Sequence, residues 1–259
     1  GYGLELETEI KQLEVAGKLS RNHPADIKNT FLGAHAIPPK YRDNRQGYIN
    51  EVCEMLPIIK EKDLAEYCDV FCEEGVFSSE ESEYILNEAK KYGFKLKIHA
   101  DEMVPLGGAS LACKLGCVSA DHLMASTEED FINLAKYKVV ANLLPATSFN
   151  LNKDYAQARK MIDSGCGVAL SSDYNPGSCP SENLQFVMQL ACLKMKMLPE
   201  EVLTAVTING ACAINEQRNI GSIETGKKAD LVLFSVPNFE YLIYHFGVNH
   251  VKDVYKNGR

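Results

Sequence analysis

Six times along this chain a short apolar run is followed by a stretch of helical periodicity. The runs are "NTFLGAHAIP", "YCDVFCEEGVF", "KLKIHA", "CVSADHL", "KVVANLLP" and "GVALSSD". Strands that alternate with helices of this length imply a parallel sheet, because parallel neighbours need a crossover between them. Before the first run, Leu6, Ile10 and Leu13 recur at helical spacing, so residues 4–19 read as a helix. Residues 46–62 read as another. "SSEESEYILNEAKKYG" has Ser at its start, acids in its first turn and Gly93 at its end. Thr127 and Asp130 read as a cap for "EEDFINLAKY". "SLACKLG", "DYAQARKMIDSG", "SENLQFVMQLACLKM" and "PEEVLTAVTINGACAI" each read as one helix, the last with Pro199 in its first turn.

No Gly-rich phosphate loop follows any of the runs, which argues against dinucleotide and P-loop folds. The expected fold class is α/β, a (β/α)8 TIM-type barrel. Six strands leave it incomplete, so the chain covers roughly strands 2/3 to 8, and the missing strands are expected upstream of residue 1. "GSIETGKKADLVLFS" and "HVKDVYKNGR" break the alternation and read as β-hairpin material. The expected division is residues 1–217 for the barrel and 218–259 for part of a small β-sandwich domain. The opening "GYGLELETEIKQLEV" has no initiator Met, and both ends read as cut.

Composition narrows the class. At 46% hydrophobic and 24% charged, 259 residues can bury a large core. A net charge of −8 without a Lys/Arg cluster argues against nucleic-acid binding. No apolar run reaches the roughly 18 residues of a membrane span, and no signal peptide opens the chain. Nine cysteines, scattered through the elements, read as reduced and mostly buried, hence a cytoplasmic protein. Cys68/Cys72 and Cys113/Cys117 are spaced four apart, but no Cys-x-x-Cys pair completes a zinc site.

In a barrel the chemistry sits at the C-terminal ends of the strands. His35 ends the first run, Glu73 and Glu74 the second, and His99 and Glu102 the third. Asp121 and His122 end the fourth, Asn142 lies on the fifth, and Asp173 ends the sixth. A single strand-end histidine is more often a hydrogen-bonded structural residue than a ligand. Asp173 could simply cap the turn-rich loop after it. Glu73 and Glu74 read as a solvated rim and Asp101 as structural. His23, His245 and His250 lie away from strand ends and are given no role. Convergence is what favours chemistry: three of the six histidines close strands, beside carboxylates. That set suits metal-assisted hydrolysis, in which a divalent cation lowers the pKa of a bound water and a nearby His and carboxylate move protons. His99 and Asp173 supply two ligands, too few for a tight site.

"FLGAHAIP", "HADE", "SADHL", "SSDYNPGSCPS" and "YHFGVN" together resemble the imidazolonepropionase family of the amidohydrolase superfamily. "TINGACAI" followed by "GSIETGKKADLVLF" is similar to that superfamily's return from barrel to small β domain. The resemblance spans essentially the whole chain. It implies hydrolysis of the ring amide C–N bond of 4-imidazolone-5-propanoate to N-formimidoyl-L-glutamate, a step of histidine degradation. It also implies one zinc or iron ion and a homodimer. It makes His99 and Asp173 metal ligands and makes Glu102, His122 and Asp173 catalytic. Tyr2, His35, Glu102, Asn175, Gly177 and Ser178 become substrate contacts. The family's His-x-His pair and its upstream Arg have no counterpart in this chain, so two further His ligands are expected upstream of residue 1. Such a fragment alone could be inactive. The competing readings are another amidohydrolase, such as a cyclic amidine or nucleobase deaminase, and a metal-free barrel fragment without catalysis.

Overall fold

A computed structural model describes residues 2–259. The chain parts into two compact units, one ending at Val139 and the other running from Val140 to Arg259. Strands β1 to β4 of the first unit pair in chain order and in parallel, and β5 and β6 of the second pair in parallel.

The first unit runs α1 (Leu6–Asn22), β1 (Thr30–Ala34), α2 (Arg45–Glu61), β2 (Tyr67–Cys72), α3 (Ser79–Lys91), β3 (Lys95–Ala100), α4 (Gly108–Leu115), β4 (Ser119–His122) and α5 (Glu128–Tyr137). Local chemistry sets the helix starts. The Ser78 hydroxyl accepts from Glu81 N while the Glu81 carboxylate accepts from Ser78 N, a reciprocal cap. Thr127 and Asp130 do the same for α5. Helix α3 buries Ser82, Ile85, Leu86 and Ala89, one stripe at helical spacing. Burying each large aliphatic there stabilises by about 1.5–3 kcal/mol.

Strand β3 divides its residues between two faces. Leu96, Ile98 and Ala100 are buried, and Lys95, Lys97 and His99 lie on the other face. In register with that second face stand Tyr67, Asp69 and Phe71 on β2, and Ser119 and Asp121 on β4. One face of this sheet is therefore polar. Lys97 Nζ donates to Ser119 Oγ at 3.1 Å, and Ser119 Oγ donates to Asp121 Oδ1 at 2.9 Å.

The "LGG" before α4 has a steric cause. Gly107 has φ +83°, in the left-handed region. A Cβ at Gly108 would lie 2.7 Å from Ala100 Cβ and 3.0 Å from Ala100 Cα. Helix α4 thus starts directly against the end of β3. Gly108→Ala is expected to destabilise the protein by about 1–3 kcal/mol, read as a lower urea midpoint. An unchanged midpoint would mean that α4 can shift away at no cost.

The second unit runs β5 (Val140–Leu143), α6 (Pro145–Leu151), α7 (Ala158–Asp163), β6 (Val168–Leu170), α8 (Leu184–Met195), α9 (Pro199–Val206), α10 (Ile208–Cys212), β7 (Leu231–Phe234), α11 (Glu240–Tyr244) and β8 (Val251–Tyr255). The C-terminal β7 and β8 form an antiparallel pair, as the hairpin-like segments suggest. Helical expectations need correction at three places. Residues 199–214 form two helices, because Thr207 breaks the backbone at φ −118°, ψ −96°. Only residues 158–163 of the expected 154–165 helix are helical. The apolar "PATSFNL" forms α6, started by Pro145 in its first turn. Among the described residues no helix is long and apolar enough to cross a membrane.

The nine cysteines carry free thiols, and six of them are buried. Burial pushes the Cys68 and Cys117 thiols well up, so they stay protonated and are poor metal ligands.

Candidate active site

Four strands of the first unit bring their C-terminal residues together. His35 follows β1 directly and is buried, and the Tyr2 ring lies 5.1 Å from it, centroid to centroid. The His35 ring meets His99 edge-on at 4.8 Å, and His99 lies 5.2 Å from His122. Phe71 flanks His99 at 5.8 Å. Glu102 Oε2 is 3.6 Å from His122 Nε2. Of the residues singled out above, Tyr2, His35, His99, Glu102 and His122 thus converge. They come from the N-terminal segment and from the ends of β1, β3 and β4.

Backbone strain accompanies this convergence. His122 has φ +76° and Leu123 φ +59°, and Asp101, between His99 and Glu102 in the chain, has φ +49°. Left-handed backbone at a histidine and a leucine is uncommon and costs about 1–3 kcal/mol per residue. It bends the chain sharply where β3 and β4 leave the sheet.

Asp101 holds its turn by an internal anchor. Its Oδ1 accepts from Gly107 N and Gly108 N, both at 3.0 Å. Its Oδ2 accepts from Ala109 N and Ser126 Oγ, both at 3.0 Å. The carboxylate is buried and caps the start of α4. Asp101 is therefore structural, as expected, and it sets the turn from which Glu102 projects.

Two buried acids were misjudged or missed from the sequence. Glu73 is not part of a solvated rim: it is 1% exposed, and its carboxylate accepts from Glu74 N and Met103 N, each at 2.8 Å. The Met103 amide comes from the loop after β3, which no local pattern around Glu73 reveals. Asp69 was not singled out at all. It lies within β2, 3% exposed, and its Oδ1 accepts from His99 Nδ1 at 3.0 Å. His35 Nε2 lies 3.7 Å from the same oxygen. The signal was an acid inside the apolar run "YCDVFC".

Burial holds the His35 and His122 imidazoles neutral. Burial, helped by nearby His99, lowers the His35 pKa to about 3. The same two causes push His122 well below the ordinary histidine value. Burial works against ionisation of Asp69. The electrostatic pull and hydrogen bond of the His99 N–H, with Lys97 nearby, outweigh it and hold the carboxyl below the usual carboxylate range. His35 Nδ1 faces the Leu32 carbonyl at 3.1 Å and must donate to it. Its Nε2 is then an acceptor, buried without a hydrogen-bond partner, as is His122 Nδ1. His35, Asp69 and His99 present ligand atoms within 4.8 Å of one another, a possible His/Asp metal site.

The second unit places its own strand-end residues. Asp173, just beyond β6, has φ +55°, and its Oδ2 accepts from Thr147 Oγ1. Asn142 on β5 accepts from Ser171 Oγ at 3.1 Å. The loop after Asp173 closes on itself through Asn175. Asn175 Oδ1 accepts from Gly177 N and Ser178 N, and its Nδ2 donates to Asp173 O and Ser178 Oγ, all at 2.8 Å. His250 is buried, and its Nε2 lies 2.8 Å from the His245 carbonyl, a structural role.

Parallel β/α architecture, with histidines and carboxylates gathered at the C-terminal strand ends, is the arrangement in which barrel folds place their functional residues. Comparison with known proteins makes this particular. The chain belongs to the amidohydrolase family, whose profile matches residues 70–259. It is 59% identical to the imidazolonepropionase of Fusobacterium nucleatum subsp. nucleatum and 57% identical to that of Alkaliphilus metalliredigens. Both alignments cover 100% of this chain, and the chain spans 63% and 62% of those relatives' lengths. Among solved structures, a zinc-bound adenosine deaminase of Xanthomonas campestris superposes with TM-score 0.73 at 19% identity, covering 95% of this chain and 63% of that one. The zinc complex of an atrazine chlorohydrolase of Arthrobacter aurescens gives 0.64 at 17%, covering 81% and 55%. At such identities these two matches speak to fold alone.

Proposed function

We propose that this chain carries the acid–base wall and part of the metal site of an imidazolonepropionase. The reaction is hydrolytic opening of 4-imidazolone-5-propanoate to N-formimidoyl-L-glutamate. One observation carries the reading: His35, His99, His122, Asp69 and Glu102 cluster at adjoining strand ends in a chain that is 59% identical to an imidazolonepropionase along its whole length. The same reading keeps residues 1–217 as barrel and 218–259 as part of a small β domain, to which the β7–β8 pair belongs.

The donor set fits a divalent cation. Imidazole with carboxylate is the ligand set such a cation takes, and His35, Asp69 and His99 bring ligand atoms within 4.8 Å of one another. His99 is the ligand this cluster would offer to the ion, zinc or iron, and the family resemblance gives Asp173 the same role. When bound, it supplies Lewis acidity and lowers the pKa of water toward 7. The remaining steps fall to side chains. His122, neutral and buried, orients the attacking water and stabilises the oxyanion formed at the ring carbonyl. Glu102, 3.6 Å from His122, takes a proton and delivers it to the ring nitrogen as the C–N bond breaks. Tyr2 and His35 line the substrate side of this cluster, and the family resemblance assigns Asn175, Gly177 and Ser178 to substrate as well.

The test is turnover of a protein with the full length of the relatives. Imidazolonepropanoate should disappear with appearance of formimidoylglutamate. Ammonia release from guanine or cytosine, with imidazolonepropanoate untouched, would favour a deaminase instead. In the same protein His122→Ala should keep its metal, by elemental analysis, and lose about 10²–10⁴-fold in kcat. Normal turnover in that variant would remove His122 from the mechanism.

A further inference from the structure

We propose that Asp69 is a positioning residue that grips His99 through Nδ1, locks the ring in the Nδ1–H tautomer and so dedicates Nε2 to electron-pair donation. The inference rests on the reading of His99 as a metal ligand.

The argument is one of geometry. Asp69 Oδ1 and His99 Nδ1 are 3.0 Å apart, and an ionised carboxylate can only accept. His99 must donate from Nδ1, and its lone pair then resides on Nε2. The placement is rigid. Asp69 is 3% exposed within β2, two residues before Phe71, which stands in register with His99. Asp69 itself stands in register with Lys97, so its side chain rises from one pair below His99 on the same sheet face. A carboxylate behind a ligating imidazole orients the ring and raises its basicity, and loss of such a partner costs about 10–100-fold in metal affinity.

The nearness of His35 offers a different arrangement, in which a cation sits directly among His35 Nε2, Asp69 and His99 Nδ1. The hydrogen-bond length between Asp69 and His99 favours the proton over the ion. The two arrangements make opposite predictions.

Nitrogen-15 NMR of the metal-free protein at neutral pH should show His99 as the Nδ1–H tautomer, with its Nδ1 proton far downfield. Asp69→Asn should lose that downfield proton and bind zinc about 10–100-fold more weakly, measured against a chromophoric chelator. His35→Ala should leave zinc affinity unchanged. The proposal is overturned if wild-type His99 carries its proton on Nε2, or if Asp69→Asn binds zinc like the wild type. Equal loss of zinc in His35→Ala and Asp69→Asn would overturn it too, by making the trio itself the ligand set. Failure of the underlying metal reading looks different: His99→Ala would then bind zinc normally, whatever tautomer the wild type shows. The tautomer measurement needs no variant, so misfolding of Asp69→Asn leaves it decisive.

Discussion

Asp101→Ala is expected to lower the unfolding free energy by about 3–5 kcal/mol, the cost of removing one side of a buried, fully bonded charge. Four donors converge on this carboxylate, three of them backbone amides at the start of α4. Alanine would leave those amides and the Ser126 hydroxyl facing a cavity, each losing a charge-assisted bond worth about 1.5–3 kcal/mol. The helix dipole loses its counter-charge as well. Some of the cost is recovered if water enters, which keeps the expected total below the sum. Asp101→Asn should be milder, because its carbonyl oxygen can still accept from Gly107 and Gly108 while its amide would oppose the Ala109 N–H. Urea unfolding measures both. A loss below about 1 kcal/mol for the alanine variant would show that the anchor is dispensable. Activity should fall with stability, since the same turn carries Glu102.

On the proposed function, His99→Ala in a protein with the full length of the relatives is expected to abolish tight metal binding and with it nearly all hydrolysis. Loss of a mere outer partner of a ligating histidine costs about 10–100-fold in affinity, so loss of a ligand must cost more. His99 is central in the cluster: its ring lies between His35 at 4.8 Å and His122 at 5.2 Å, with Asp69 on its Nδ1. Asp173→Ala should behave alike if its carboxylate is a ligand. Elemental analysis of each purified variant, beside the wild type, is the measurement. Normal metal content in His99→Ala would sink the ligand assignment, whatever the activity. Stability should change little by comparison, because the His99 side chain is 19% exposed and fills no apolar core.

Much of the fold was legible because its causes are local. A cap such as Ser78 with Glu81, or Thr127 with Asp130, is complete within four residues. The strand "KLKIHA" runs over the residues its pattern marks, Lys95–Ala100. The strand-end residues were legible for the same reason: a polar group that closes an apolar run must lie at the end of a parallel strand. The break at Thr207 was not legible, since helical periodicity continues through it.

From the sequence alone came the alternation of strand and helix, the parallel sheet and the set of strand-end histidines and acids. Each depends on periodicity and capping within a few neighbouring residues. Only the tertiary structure decided which acids serve which histidines. Asp69 and His99 are thirty residues apart, and the register of β2 against β3 brings them to 3.0 Å. Glu73 is buried because an amide from another loop reaches it. Pairings of this kind are set by register and loop closure, which sum over the whole sheet and leave no mark in any short stretch of chain.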